Sequence, residues 1–139
     1  MSFREKSAWI SLTCFVTVFG LYFWYFTRVL LGLDDRALAP SRFFYLILVL
    51  VVAEIVLHIV IAISSPKDAR TPKDEREQLI DLKAARVGFR VLLVGALVSI
   101  ATMHHGAGVW VMSNSVLLAV VVAELAKFTT QIVLYRRDA

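Results

Sequence analysis

The segment VWVMSNSVLLAVVVAELAKFTTQIVL, residues 109–134, decides the fold class of this chain. It is apolar along most of its length. A helix rises ~1.5 Å per residue, so about 20 residues suffice to cross a hydrocarbon core of ~30 Å. The segment is therefore long enough to cross a membrane as one helix. It also holds two ionisable residues, Glu124 and Lys127, well inside that length, so it bears on function as well as on fold.

Three similar apolar runs precede this segment, at about residues 8–33, 43–64 and 84–103. Hydrophobic residues make up 59% of the 139 residues, whereas soluble domains contain roughly 45–50%. We therefore predict an all-α membrane protein with a single domain, residues 1–139. Its expected architecture is an antiparallel bundle of four transmembrane helices.

The basic residues indicate an orientation for these four predicted spans. They concentrate near the two chain ends and in residues 67–86, while residues 104–108 contain no lysine or arginine. Lysine and arginine are enriched in cytoplasmic segments of membrane proteins. The sequence therefore predicts that both termini and residues 65–83 lie in the cytoplasm.

The predicted cytoplasmic loop leads into a helical extension of the third span. Thr71 has the character of an N-cap, and Pro72 is suited to the first helical position. Leu79, Leu82 and Arg86 then follow at helical spacing and share one face. That face either packs on the protein's own helices or docks a partner; the candidate docking residues are Asp74, Glu75, Arg76, Glu77, Leu79 and Leu82.

A repeated motif relates the second span to the fourth. Val-Val-Ala-Glu occurs at residues 51–54 and again at residues 121–124, a shift of 70 positions. The first and third predicted spans match more weakly. The pattern favours two equivalent helical hairpins, related as a parallel repeat about an axis along the membrane normal.

Both copies of the motif put a carboxylate near the middle of a predicted span. His58 follows Glu54 by four residues, and Lys127 follows Glu124 by three, so each basic residue lies on the face of its glutamate. Arg90 enters the third span at a similar depth. An ionisable group inside a membrane is costly and is often functional. These five residues either handle an ion, a proton or a ligand, or hold the helices together as neutral or paired groups.

Other chemistry has little support in this sequence. The sequence has no glycine-rich phosphate loop and no His-Glu-x-x-His motif. Cys14 is its one cysteine, so it contains no cysteine pair. We therefore expect no enzymatic activity, no metal site and no cofactor. The excess of basic over acidic residues lies at the ends of the predicted spans. It favours contact with membrane lipids and not direct binding of nucleic acid. Because four helices enclose only a narrow interior, we also expect a homo-oligomer.

Three stretches carry a resemblance to a known family: FREKSAWI at residues 3–10, HIVIAI at 58–63 and PKDERE at 72–77. Together they resemble an uncharacterised family of small four-span proteins of the bacterial inner membrane. Similar proteins are often encoded beside small helix-turn-helix regulators. The resemblance thus implies a soluble regulator as partner, with residues 74–86 (DEREQLIDLKAAR) as the contact surface.

Three functions remain open from the sequence. The first is a non-enzymatic sensing or regulatory module that signals through its cytoplasmic loop. The second is a small proton- or cation-coupled transporter that uses the two glutamates. The third is a structural membrane scaffold, in which the glutamates only join helices.

Overall fold

The computed structural model of the protein describes residues 3–32, 40–64, 72, 74–106 and 108–137. These residues form four α-helices and no strand: α1 (Phe3–Leu30), α2 (Pro40–Ser64), α3 (Glu75–His104) and α4 (Val109–Arg137). The prediction of an all-helical protein is confirmed. Within the helices, the side chains of residues 3–4, 40–44, 46–47, 50, 54, 58, 61, 64 and 103 lie outside the described part.

Three of the helices are long and apolar enough to cross a membrane: Glu5–Leu30, Glu75–Thr102 and Val109–Arg137. Only 17–22% of the residues in the apolar window of each are buried. Large apolar side chains such as Trp24 and Leu97 are instead more than 60% exposed. Such extensive apolar exposure is typical of surfaces that contact lipid. By length, composition and exposure, the chain is a membrane protein.

The prediction of four transmembrane helices is wrong, because the described residues provide three candidate spans. The difference lies in α2. An apolar run is sufficient to predict a helix, and α2 is a helix of 25 residues. α2 is not among the three candidate spans that the described residues provide.

Two other predictions fail with the number of spans. Cytoplasmic placement of both termini requires an even number of crossings. The parallel repeat requires two hairpins of two spans each. Neither is compatible with three candidate spans. The single-domain prediction stays a prediction; the chain divides into two compact units, Met1–Thr71 and Pro72–Ala139.

The first unit contains α1 and α2. The buried residues of α1 recur at helical spacing along one stripe: Glu5, Ala8, Ser11, Phe19 and Tyr22. Neighbouring rings add contacts to this stripe, with Phe15 and Phe19 centroids 5.4 Å apart and Tyr22 stacked on Phe26 at 6.5 Å. The helix is followed by Gly32, whose φ of 68° belongs to the left-handed region that ends many helices.

The second unit is a helical hairpin of α3 and α4. Gly106, with a φ of 77°, lies in the short connection between them, which makes the two helices antiparallel neighbours. The contacting face of α3 includes Ile80 and Ala84, which are 3% and 0% exposed. On α4 the buried positions are Asn114, Ala119, Val121, Ala123 and Ile132. All candidate site residues outside α2 lie in this unit.

Candidate functional site

Small residues bring the backbones of α3 and α4 close together. A methyl group built on Gly95 would lie 2.5 Å from the Cβ of Ala119, and one built on Gly88 would lie 3.1 Å from the Ala123 carbonyl oxygen. Gly95 therefore has no room for a side chain, and a Cβ at Gly88 fits only if its neighbours give way by a few tenths of an ångström. Membrane helices lack a hydrophobic force between them and associate through such close packing. This contact sets the register in which the polar residues of the hairpin meet.

An ion pair lies beside this contact, on α4. The Lys127 Nζ is 2.8 Å from a carboxylate oxygen of Glu124. The two side chains are about one-third exposed, at 33% and 34%. Lys127 also lies 5.0 Å from the ring centroid of Phe128, within the range of a cation–π interaction. The charge of Glu124 is therefore compensated by its own helix, one turn away.

A hydrogen bond between the two helices lies nearer the start of α3. The Gln131 side-chain amide donates a hydrogen bond of 3.0 Å to the Asp81 carboxylate. Gln131 lies four residues after Lys127, so the polar face of α4 continues toward the end of that helix. The sequence indicated this face of α4 but offered no signal that Asp81 would meet it.

Arg90 lies apart from the ion pair, at the edge of an open groove between α3 and α4. The groove has a volume of about 490 Å³. Apart from Arg90, its lining is apolar or small: Val91, Val94, Gly95, Val98 and Ser99 from α3, and Ser115, Leu118, Ala119 and Val122 from α4. Among the described residues, no ion pair joins Arg90 to Glu124. The structure thus brings together two of the predicted polar residues and places the third elsewhere.

The predictions for Glu54 and His58 concern side chains that lie outside the described residues. Both residues belong to α2. Their proposed participation with Glu124 in one polar site stays a prediction. The described part of the chain brings no three histidine, cysteine, aspartate or glutamate residues together in a way that could hold a metal ion.

The polar start of α3 has a defined cap. The Glu75 backbone N–H donates to Asp74 Oδ1 at 2.8 Å, and the Asp74 N–H donates to Glu77 Oε2 at 3.3 Å. The bond from the Asp74 N–H to the Glu77 side chain is one of the two hydrogen bonds of a capping box, while the Asp74 side chain accepts from the first helical amide. The helix consequently begins at Glu75, and the prediction that it starts at Pro72 is wrong by one turn. The signal was present as an acidic residue followed three positions later by glutamate.

The first turns of α3 expose one side of the helix. Leu79 and Leu82 are 55% and 61% exposed, and the charged residues Glu75, Arg76, Lys83 and Arg86 are exposed around them. The opposite side carries Ile80 and Ala84, which are buried against α4. A candidate span of 28 residues is ~42 Å long, more than the ~30 Å of a hydrocarbon core. The charges gather at its first turns, the part of the helix that exceeds this thickness.

Comparison with known proteins gives no relative: no protein-family model matches the chain, and no curated protein and no solved structure matches it. The resemblance to a family of four-span membrane proteins therefore stays a prediction. Fold and site together define an all-helical membrane protein. Its distinctive part is a close-packed hairpin that carries an ion pair, an apolar groove and a polar, capped extension.

Proposed function

We propose that the protein is a non-enzymatic regulatory module of a bacterial inner membrane, which it crosses more than once. It communicates with a soluble helix-turn-helix regulator through the docking surface, defined as Asp74, Glu75, Arg76, Glu77, Leu79 and Leu82. The observation that carries the proposal is the exposure of Leu79 and Leu82 on a capped helix that continues into an apolar span. A lone exposed leucine is ordinary, but two on one face of a charged helix suit a docking surface.

The continuity of α3 supports a signalling role for this surface. Its 30 residues form one helix from the capped start to the end of the apolar segment. Close contacts at Gly88 and Gly95 tie the helix to α4 inside the membrane. A displacement of the hairpin would therefore move the docking surface with it, because a continuous helix transmits such a shift as a unit.

The charge distribution supports a cytoplasmic location for the docking surface. Arg76, Lys83 and Arg86 lie in the first turns of α3, and Arg136 and Arg137 lie in the last turn of α4. Because the helices are antiparallel, these residues belong to the same end of the hairpin. The connecting residues 105–106 and 108 carry no lysine or arginine. Such an asymmetry favours a cytoplasmic position for the basic end.

Site-specific photocrosslinking in intact cells tests this function. A photoreactive amino acid replaces Leu79 or Leu82 and, as a control, Val133, which is 47% exposed on α4 toward the same end of the hairpin. We expect one soluble DNA-binding protein, identified by mass spectrometry, to be captured from positions 79 and 82 only. The double variant Leu79→Asp/Leu82→Asp abolishes a crosslink made from position 75, while membrane insertion is retained. Equal capture from position 133, or none from positions 79 and 82, contradicts the proposal.

The ion pair favours proton- or cation-coupled transport as a second candidate function. A carboxylate in a membrane helix is a candidate ion or proton site by default, and Glu124 is one-third exposed beside Lys127. Transport predicts that Glu124→Gln abolishes a proton-coupled flux in proteoliposomes, while Lys127→Gln alters its pH dependence. If Glu124→Gln leaves the flux of the wild-type protein unchanged, or if the wild-type protein shows no flux, this second function is excluded.

A further inference from the structure

The groove between α3 and α4 combines an apolar lining with one cation at its edge. Its floor is formed where Gly95 meets Ala119, since neither residue has a side chain large enough to fill the space above the contact. Its walls are the branched side chains of Val94 and Val98 on α3 and of Leu118 and Val122 on α4. The groove follows α3 from Arg90 to Ser99, which corresponds to ~13 Å at helical rise.

Arg90 is exposed at this edge and has no acidic partner among the described residues. Lys83 and Arg86, also exposed, precede it by seven and four residues, spacings that place all three on the same face of α3. These three basic residues lead from the start of α3 toward the groove. Long basic side chains inside a membrane direct their charged ends toward the interface. The guanidinium of Arg90 is therefore available to an anionic group at headgroup level.

We propose that this groove is a binding site for one anionic phospholipid. An acyl chain lies along the groove, and the headgroup phosphate accepts hydrogen bonds from the Arg90 guanidinium. A planar guanidinium suits a phosphate because it donates two parallel hydrogen bonds. The proposal does not depend on the regulatory function, since none of the groove residues belongs to the docking surface.

Charge and size favour a lipid over a protein helix as the occupant. Among the described residues of the lining, the one charged residue is a cation, which complements a phosphate but has no counterpart in an apolar helix. A volume of about 490 Å³ falls in the range of ~300–1,000 Å³ that is common for small-molecule sites. A second helix, with a diameter of ~10–12 Å including side chains, requires a broader surface.

Native mass spectrometry of the full-length protein tests the proposal. Phosphatidylglycerol and phosphatidylcholine with identical acyl chains are added to delipidated protein in detergent, and bound lipids per chain are counted. We expect one phosphatidylglycerol to bind about tenfold more tightly than phosphatidylcholine, as one charge-assisted hydrogen-bonded contact predicts. Arg90→Gln removes this preference. The matched control Arg137→Gln, which removes an exposed charge on α4 toward the same end of the hairpin, retains it.

A second variant tests the contribution of the groove to lipid binding independently of the charge of Arg90. Val94→Trp fills the groove at a position that is 63% exposed, so helix formation is expected to persist in circular dichroism. We expect this variant to lose the tightly bound lipid although Arg90 is present. The proposal is overturned if the two lipids bind equally, if Arg137→Gln matches Arg90→Gln, or if Val94→Trp leaves lipid binding unchanged. A change of oligomeric state in Val94→Trp without loss of lipid also overturns it, because the groove is then a protein interface.

Discussion

The two units of the chain differ in the side chains that make their most prominent buried contacts. In α1 the buried stripe includes the large residues Phe19 and Tyr22 and is extended by neighbouring rings. In the α3–α4 hairpin the closest approach is at small residues such as Gly88, Gly95 and Ala119, beside larger buried residues such as Ile80 and Ile132. Among the described residues, α3 and α4 also contact each other far more extensively than α1 and α2 do.

This difference has a mechanical consequence. Backbones in close contact leave no space into which either helix can shift, and close packing is the principal source of helix association in lipid. The hairpin is therefore expected to behave as one stiff body, with its ion pair, groove and docking surface held in a constant geometry. Large rings can adjust by rotation about their side-chain bonds, so the first unit is expected to tolerate changes of size better.

The largest expected effect comes from the same substitution made in each unit. Gly95→Ala forces a methyl group to within 2.5 Å of Ala119 Cβ, and such overpacking typically costs ~1–3 kcal/mol. Gly20→Ala in α1 meets nothing within 4 Å among the described residues. It should stabilise the protein by up to ~1 kcal/mol, because alanine favours a helix over glycine. Thermal and denaturant unfolding in detergent measures both; effects of the same sign and size would contradict the comparison.

A smaller effect is expected at the capped start of α3. Asp74→Ala removes the acceptor for the Glu75 N–H, and loss of a helix cap costs ~1 kcal/mol. Hydrogen exchange of the first amides of α3 should accelerate by roughly fivefold, with little change in the apolar segment. Asp74→Asn is the matched control, since its side-chain oxygen still accepts the bond. Equal acceleration in both variants would show that charge, and not the cap, stabilises this end.

The smallest expected effect concerns the polar link between the helices. Double-mutant cycles in membrane proteins give ~0.6 kcal/mol for an average interhelical hydrogen bond. We expect a coupling of this order between Asp81→Ala and Gln131→Ala, whose side chains are joined at 3.0 Å. A cycle between Lys83→Ala, at an exposed position of α3, and Gln131→Ala serves as the control and should show no coupling. A larger Asp81–Gln131 coupling than the cost of Gly95→Ala would mean that polar contacts, not small residues, hold the hairpin.

Local patterns in the sequence were sufficient to predict the helices but not to predict which residues of one helix contact another. Apolar runs identified all four helices, and a spacing of three residues placed Lys127 on the face of Glu124, where the structure joins them at 2.8 Å. The start of α3 was misplaced because the prediction relied on a threonine followed by proline. The acidic residues one turn later, Asp74 and Glu77, cap the helix instead. The number of spans was overstated, since three of the four helices are candidate spans among the described residues.

The contacts between α3 and α4 could not be predicted from the sequence, for a physical reason. The small residues Gly88 and Gly95 become meaningful only when the opposing residues of α4 are known. That register depends on the packing of both helices and on the short connection between them. The position of Arg90 at a groove, and not beside Glu124, follows from the same register.

The most direct measurement of the central claim is disulfide formation across the hairpin in native membranes. In a Cys14→Ser background, Gly88→Cys is combined with Lys127→Cys. A Cβ at position 88 lies 3.1 Å from Lys127 Cβ, and the two positions reach the ~3.5–4.5 Å of a disulfide if they separate by a few tenths of an ångström. The matched control combines Phe89→Cys, 60% exposed, with Lys127→Cys. The account predicts rapid oxidation of the first pair, measured by its protection from a maleimide reagent, and little oxidation of the second. Equal rates for the two pairs would contradict the close contact of α3 with α4.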